Sequence, residues 1–165
     1  MLSRRVGLAV YGARVSTAPA ELARFLEAQD ERATYAQALS ELRAGHKSSH
    51  WMWFVFPQIS GLGHSAMSRR YAIASLREAE EYLHHPILGP RLIECTKVVL
   101  ELKDLTAEQI FGAIDAIKLR SCITLFAQAD PSNALFTQAL ERYFEGTMDA
   151  ATLRRLAELE QEADR

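Results

Sequence analysis

Residues 45–58 read GHKSSHWMWFVFPQ and contain both tryptophans of the chain within an unbroken apolar run from Trp51 to Phe56. Such a run must leave water, so any fold has to be built around it. Alternation would put Trp51, Trp53 and Val55 on one face and Met52, Phe54 and Phe56 on the other, the pattern of a strand buried on both sides. A helix through the same residues also buries nearly all of them. Pro57 ends the run and presents Gln58 from a rigid turn.

The remainder is helical in period. Leu22, Phe25 and Leu26, then Tyr35, Leu39 and Leu42, fall at helical spacings, with Asp30 placed to cap the second segment and Gly45 to stop it. Ser75 to Glu78 and Thr106 to Gln109 read as capping boxes. Asp115 can cap AIKLRSCITLF, and Asp149 the charged last segment. The pattern predicts a mainly α, single-domain orthogonal bundle of about seven helices with short connections. A buried extended segment at 50–56 is retained as one alternative.

The 165-residue length and 48% hydrophobic content suit one core, expected over residues 19–165, with 1–18 as a flexible or accessory N-terminal extension. Arg14 interrupts the apolar run near the N-terminus, unlike a secretory signal. A net charge of −2 gives no extended nucleic-acid surface, and no stretch approaches a membrane span. Cys95 and Cys122 lie far apart without CxxC spacing, as reduced buried thiols do. These features together predict a cytoplasmic protein; oligomeric state stays open.

Candidate chemistry gathers in two places. Lys47 and His50 border the aromatic run on one side and Gln58 on the other. Directly after come Gly61, Gly63, Ser68, Arg69, Arg70 and Tyr71, where glycine amides, hydroxyls and cations suit a phosphate, although the spacing is neither a P-loop nor GxGxxG. Further on, Asp115, Lys118 and Ser121 are spaced to share one helical face. His46 and His50 lack a third ligand, so no metal centre is expected.

GHKSSHWMWFVFPQISGLGHSAMSRRYAI, with EAEEYLHHPILGPRL and IFGAIDAIKLRSCITLF, resembles the uncharacterised bacterial family called domain of unknown function 1810, over about residues 20–146. The calpastatin label sometimes given to that family implies a disordered inhibitor, which this apolar, well-capped chain is not. In the order of its elements the chain is also similar to the NADAR (YbiA-like) superfamily, which acts on riboside-linked N-glycosidic bonds.

That similarity implies a nucleotide or ADP-ribose-type ligand and no identified cofactor. Trp51 or Trp53 would stack a base or support the ribose. Arg69 or Arg70, with amides near Gly61 and Gly63, would hold phosphate. Asp115 would stabilise an oxocarbenium-like state, and Lys47 or Lys118 would trap C1 or protonate the leaving group. The competing reading is a noncatalytic binding module whose aromatic segment is purely core. Convergence of His50, Gln58, Arg70, Asp115 and Lys118 on one cavity would separate the two.

Overall fold

The protein, a computed structural model, is described over residues 20–165; the expected extension at 1–18 lies outside the described residues. A 3-10 turn at Ala20–Leu22 leads into α1 (Ala23–Asp30), which buries Phe25, and α2 (Thr34–Arg43) follows, burying Ala38, Leu39 and Leu42. Asp30 does not cap the second helix. The chain turns through Arg32 and Ala33 at positive φ, and Asp30 pairs instead with Arg91 at 2.8 Å.

The aromatic run folds as one helical turn, α3 (Met52–Val55), and not as an extended segment. The physical reason is the backbone. Among the described residues no strand lies alongside, and a lone buried strand would leave its N–H groups unpaired. The turn pairs them internally, with Val55 N donating to Trp51 O at 3.1 Å and Phe56 N to Met52 O at 3.1 Å. Trp51, Met52, Phe54, Val55 and Phe56 are all buried.

A short α4 (Ala66–Arg70), α5 (Leu76–His84), α6 (Leu88–Glu101) and a short α7 (Ala107–Phe111) come next. Thr106 and Gln109 form the expected capping box of α7. Ser75 caps α5 by accepting from Glu78 N, while the Glu78 carboxylate reaches Ala74 N, one residue earlier than the motif predicts. Then follow α8 (Ala113–Ala129), α9 (Ala134–Phe144) and α10 (Ala150–Ala163), the last capped by Asp149.

Asp115 is not the cap of α8. Gly112, at φ +81°, ends α7 and starts α8, so Asp115 falls in the first turn of that helix. Apolar nearly all round, α8 packs against α5, α7, α9 and α10 and serves as the central element. The result is mainly helical, as the periodicity predicts, with α3 and α4 as short additions. Both cysteines are free and buried, and among the described residues no helix is long and apolar enough to cross a membrane.

The α5–α6 corner is tightly constrained. A Cβ on Gly89 would sit 2.0 Å from the Leu83 carbonyl oxygen. His85, buried beside it, accepts on Nδ1 from the amides of Ile87 and Leu88, both at 3.1 Å. Burial, reinforced by the Arg91 cation, holds the His85 pKa below its ordinary 6.5.

Two outcomes follow for this corner. Gly89→Ala should cost about 3 kcal/mol and lower Tm by about 6–12 °C in calorimetry. Because the unfolded chain takes up the His85 proton more readily, stability should be flat above pH about 6.5 and fall below it. In urea titrations between pH 7 and 5, His85→Ala should flatten that slope; an unchanged slope would remove His85 as its source.

Candidate functional site

The site begins with a carboxylate in a loop. After α2 the chain reverses at Gly45, φ +74°, and wraps residues 46–51 around Glu41. The Glu41 carboxylate accepts from Ser48 N at 2.9 Å, Ser49 N at 3.1 Å, Ser49 Oγ at 2.5 Å and Trp51 Nε1 at 2.8 Å. Burial alone would raise its pKa, but these donors outweigh burial and hold it at about 2, below the ordinary 4.5.

This wrapped loop aims Lys47 inward. Its side chain is 8% exposed, and Nζ lies 2.7 Å from Asp115 Oδ2, 2.6 Å from Ser49 O and 5.1 Å from the Trp51 ring centroid. Lys47 N also donates to Ile110 O, joining the loop to α7. One turn along α8, Lys118 Nζ lies 3.0 Å from Asp115 Oδ1 and 4.5 Å over the Trp53 ring. Each carboxylate oxygen of Asp115 thus holds one lysine. Burial pushes the Asp115 pKa up; hydrogen bonds and charge from Lys47 and Lys118 override it and bring it down. Two ammonium groups around one carboxylate leave a formal excess of one positive charge.

Lys118 opens onto a cleft of about 410 Å³, whose polar wall includes Gln58, Ser68 and Ser121 and whose apolar wall is Trp53, Leu62, Ile114 and Ile117. Ile114 and Ile117 are 73% and 65% exposed, an uncommon state for adjacent β-branched side chains. The far wall is the loop after Pro57. Its ends are pinned by Ser60 N donating to Ile73 O and Ile73 N to Gln58 O, each at 2.8 Å, and by Arg24, whose guanidinium reaches Arg70 O, Ala72 O and Glu78.

Of the residues singled out from sequence, Trp53, Gln58, Gly63, Ser68, Lys118 and Ser121 line this cleft, with Asp115 and Lys47 directly behind Lys118. Tyr71 lines an adjoining crevice. Gly63 serves close packing, since a Cβ there would sit 2.6 Å from Ser68 Cβ. The others lie elsewhere. Trp51 is fully buried with its N–H engaged by Glu41, so of the two tryptophans only Trp53 reaches the cleft. Gly61 packs on Arg155, and His50, Arg69 and Arg70 are exposed without lining the cleft, Arg70 lying over the Tyr71 ring. Among the described residues no cluster of His, Cys, Asp and Glu could hold a metal ion.

Glu41, Ile114 and Ile117 escape the sequence reading. Glu41 looks like one more charge on a solvated helix face, and its partners lie seven to ten residues on. The isoleucines carry a weak signal, an apolar pair at i,i+3.

The features define a small all-α domain with a lysine-flanked aromatic cleft. The family model described as Protein of unknown function (DUF1810) matches residues 19–156, and the chain belongs to that family. It is similar to the conserved hypothetical protein Rv1873 from Mycobacterium tuberculosis, whose crystal structure gives a TM-score of 0.80 at 48% identity, covering 83% of this chain and 96% of that one. No curated protein matches the chain.

Glu41→Gln keeps the size of the side chain but removes its charge and half of its acceptor capacity. It should cost about 2 kcal/mol. A depressed carboxylate pKa contributes stability above the unfolded value that is lost as pH falls toward 2. The wild type should therefore lose stability below pH about 4.5 more steeply than Glu41→Gln in denaturant titrations; parallel curves would refute the role given to Glu41.

Proposed function

We propose that the cleft binds a nucleotide or ADP-ribose-type ligand and that the protein is a small enzyme acting on an N-glycosidic bond. The observation that carries this reading is Asp115 held between two lysines, one of which also faces Trp53 and the cleft. A planar ring suits Trp53 and the isoleucine wall, ribose hydroxyls suit Gln58, Ser68 and Ser121, and an anionic group suits the Lys118 ammonium, although the Asp149 carboxylate lines the same cleft. The resemblance to the NADAR superfamily read from the sequence implies the same ligand class.

The chemistry is then direct. As the C1–N bond breaks, its electron pair passes to the base nitrogen, which takes a proton from Lys118. Asp115 stabilises the positive charge developing at C1, and Lys47 keeps that carboxylate ionised and in place. Water adds its oxygen to C1 and returns a proton to Lys118. Two observations favour a noncatalytic ligand-binding module instead: both Asp115 oxygens are already engaged, and of the five residues whose convergence on one cavity separates the readings, only Gln58 and Lys118 line the cleft.

A saturating ADP-ribose titration followed by thermal shift tests binding. At a hundredfold excess over Kd the gain is about 2.7 kcal/mol, a rise of roughly 5–10 °C. Lys118→Ala should abolish the rise. Chromatographic assay of an N-linked ADP-ribosyl substrate with Lys47→Met, Asp115→Asn and Lys118→Ala tests turnover: loss in folded variants supports the enzyme, whereas turnover kept in all three, or no wild-type thermal shift, overturns the reading.

A further inference from the structure

A crevice adjoins the cleft, walled by the loop after Pro57 and by Trp53 and Tyr71. Trp53, Gln58 and Ser68 border both spaces, while Tyr71 lies on the crevice side alone. The crevice measures about 10 Å³, against about 410 Å³ for the cleft. That is close to the roughly 10–15 Å³ that one water molecule needs, and too little for a ring or a phosphate.

Residues with unpaired polar groups border it. Among the described residues the Trp53 indole N–H, the Gln58 side-chain amide and the Tyr71 hydroxyl have no hydrogen-bond partner, and none of the three is sealed from solvent. The Ser68 hydroxyl differs, since it donates to Ser65 O at 2.9 Å and accepts from Ser65 Oγ at 3.0 Å. Tyr71 is the sharpest case. It is 7% exposed, its ring packed edge-on against Phe54 at 5.2 Å and tilted against Phe25 at 6.2 Å, with the Arg70 guanidinium 5.3 Å from its centroid. A ring packed this way does not swing its hydroxyl out to bulk water, and polar groups so deep are nearly always satisfied by protein or by ordered water. A water in the crevice meets that need, and these groups supply the two to four polar partners that a bound water takes.

The crevice borders the reacting end of the cleft. Trp53, which walls both, has the Lys118 ammonium 4.5 Å over its ring, and Lys118 is bonded to Asp115. We infer that Gln58 and Tyr71 hold the hydrolytic water of the N-glycosidic reaction in this crevice. This inference rests on the glycosidic reading of the cleft. Once the base has left with the C1–N electron pair, a lone pair of the held water forms the C1–O bond. The proton it releases goes to the Lys118 amine that protonated the base. The Gln58 amide has two N–H donors and an acceptor oxygen, so it serves a ribose hydroxyl and the water at once.

Water–protein NOE and ROE spectra of the full chain test the seat without a ligand. The wild type should show a long-lived water at the Trp53 indole and Gln58 amide protons, and Tyr71→Phe, which keeps the packed ring, should weaken both cross peaks. Turnover of NAD in dilute methanol tests the role. Its nicotinamide–ribose bond is N-glycosidic, and the ratio of methyl glycoside to ADP-ribose is set after that bond has broken, so weaker binding does not move it. Tyr71→Phe and Gln58→Leu should each raise the methyl share several-fold, and either folded variant suffices. No long-lived water, or an unchanged product ratio in the folded variants, overturns the seat and leaves the glycosidic reading standing. No turnover by the wild type overturns that reading and the role of the water with it.

Discussion

Asp115 held between Lys47 and Lys118 is the interaction on which the rest of this region depends. It joins a loop from the N-terminal half to the central helix of the C-terminal half, at a point where none of the three groups is freely hydrated. Removing one partner of such a set leaves charge behind that water cannot easily screen, which is why truncating a buried ion pair costs far more than the pair contributes. The cluster is in turn held open toward the cleft. Trp53 covers Lys118 on one side, and Trp51 lies beneath Lys47 on the other. The two tryptophans therefore divide their labour: one is core, the other is wall.

The same arrangement is held in place from behind the cleft by half-buried charged residues. Glu41 does not touch the cleft. It gathers two amides, a hydroxyl and an indole N–H, and so fixes the backbone from which Lys47 reaches inward. Arg24 does the equivalent for the opposite wall by bonding to the carbonyls of Arg70 and Ala72. Each wall is thus set by a charged residue from the first two helices, behind the surface a ligand would meet. Preorganisation of that kind lowers the cost of binding, because the loops do not have to be ordered at the moment of contact.

Much of this was legible in the sequence. The helices show in their period and the cap residues Ser75, Thr106 and Asp149 mark their starts, since both signals depend on residues a few positions apart. Asp115, Lys118 and Ser121 could be grouped for the same reason. Long-range features could not. The aromatic run is apolar at every position, so its period carries no information, and the lack of a partner strand among the described residues decides for the helix. Asp30 and Asp115 have the right type for caps, but turns at Arg32, Ala33 and Gly112 move the helix starts away from them. His50, Arg69 and Arg70 sit near the site in sequence but are exposed and do not line it.

Lysine side-chain and indole NMR, recorded while ADP-ribose is added, tests the central claim most directly. The structure separates two lysine–tryptophan pairs that composition cannot tell apart. The account predicts that the Lys118 ammonium and Trp53 indole signals move together in a saturable way, while Lys47 and Trp51, sealed behind Asp115, shift little. Saturable changes confined to Lys47 and Trp51, or no change in either pair at ligand excess, would contradict it.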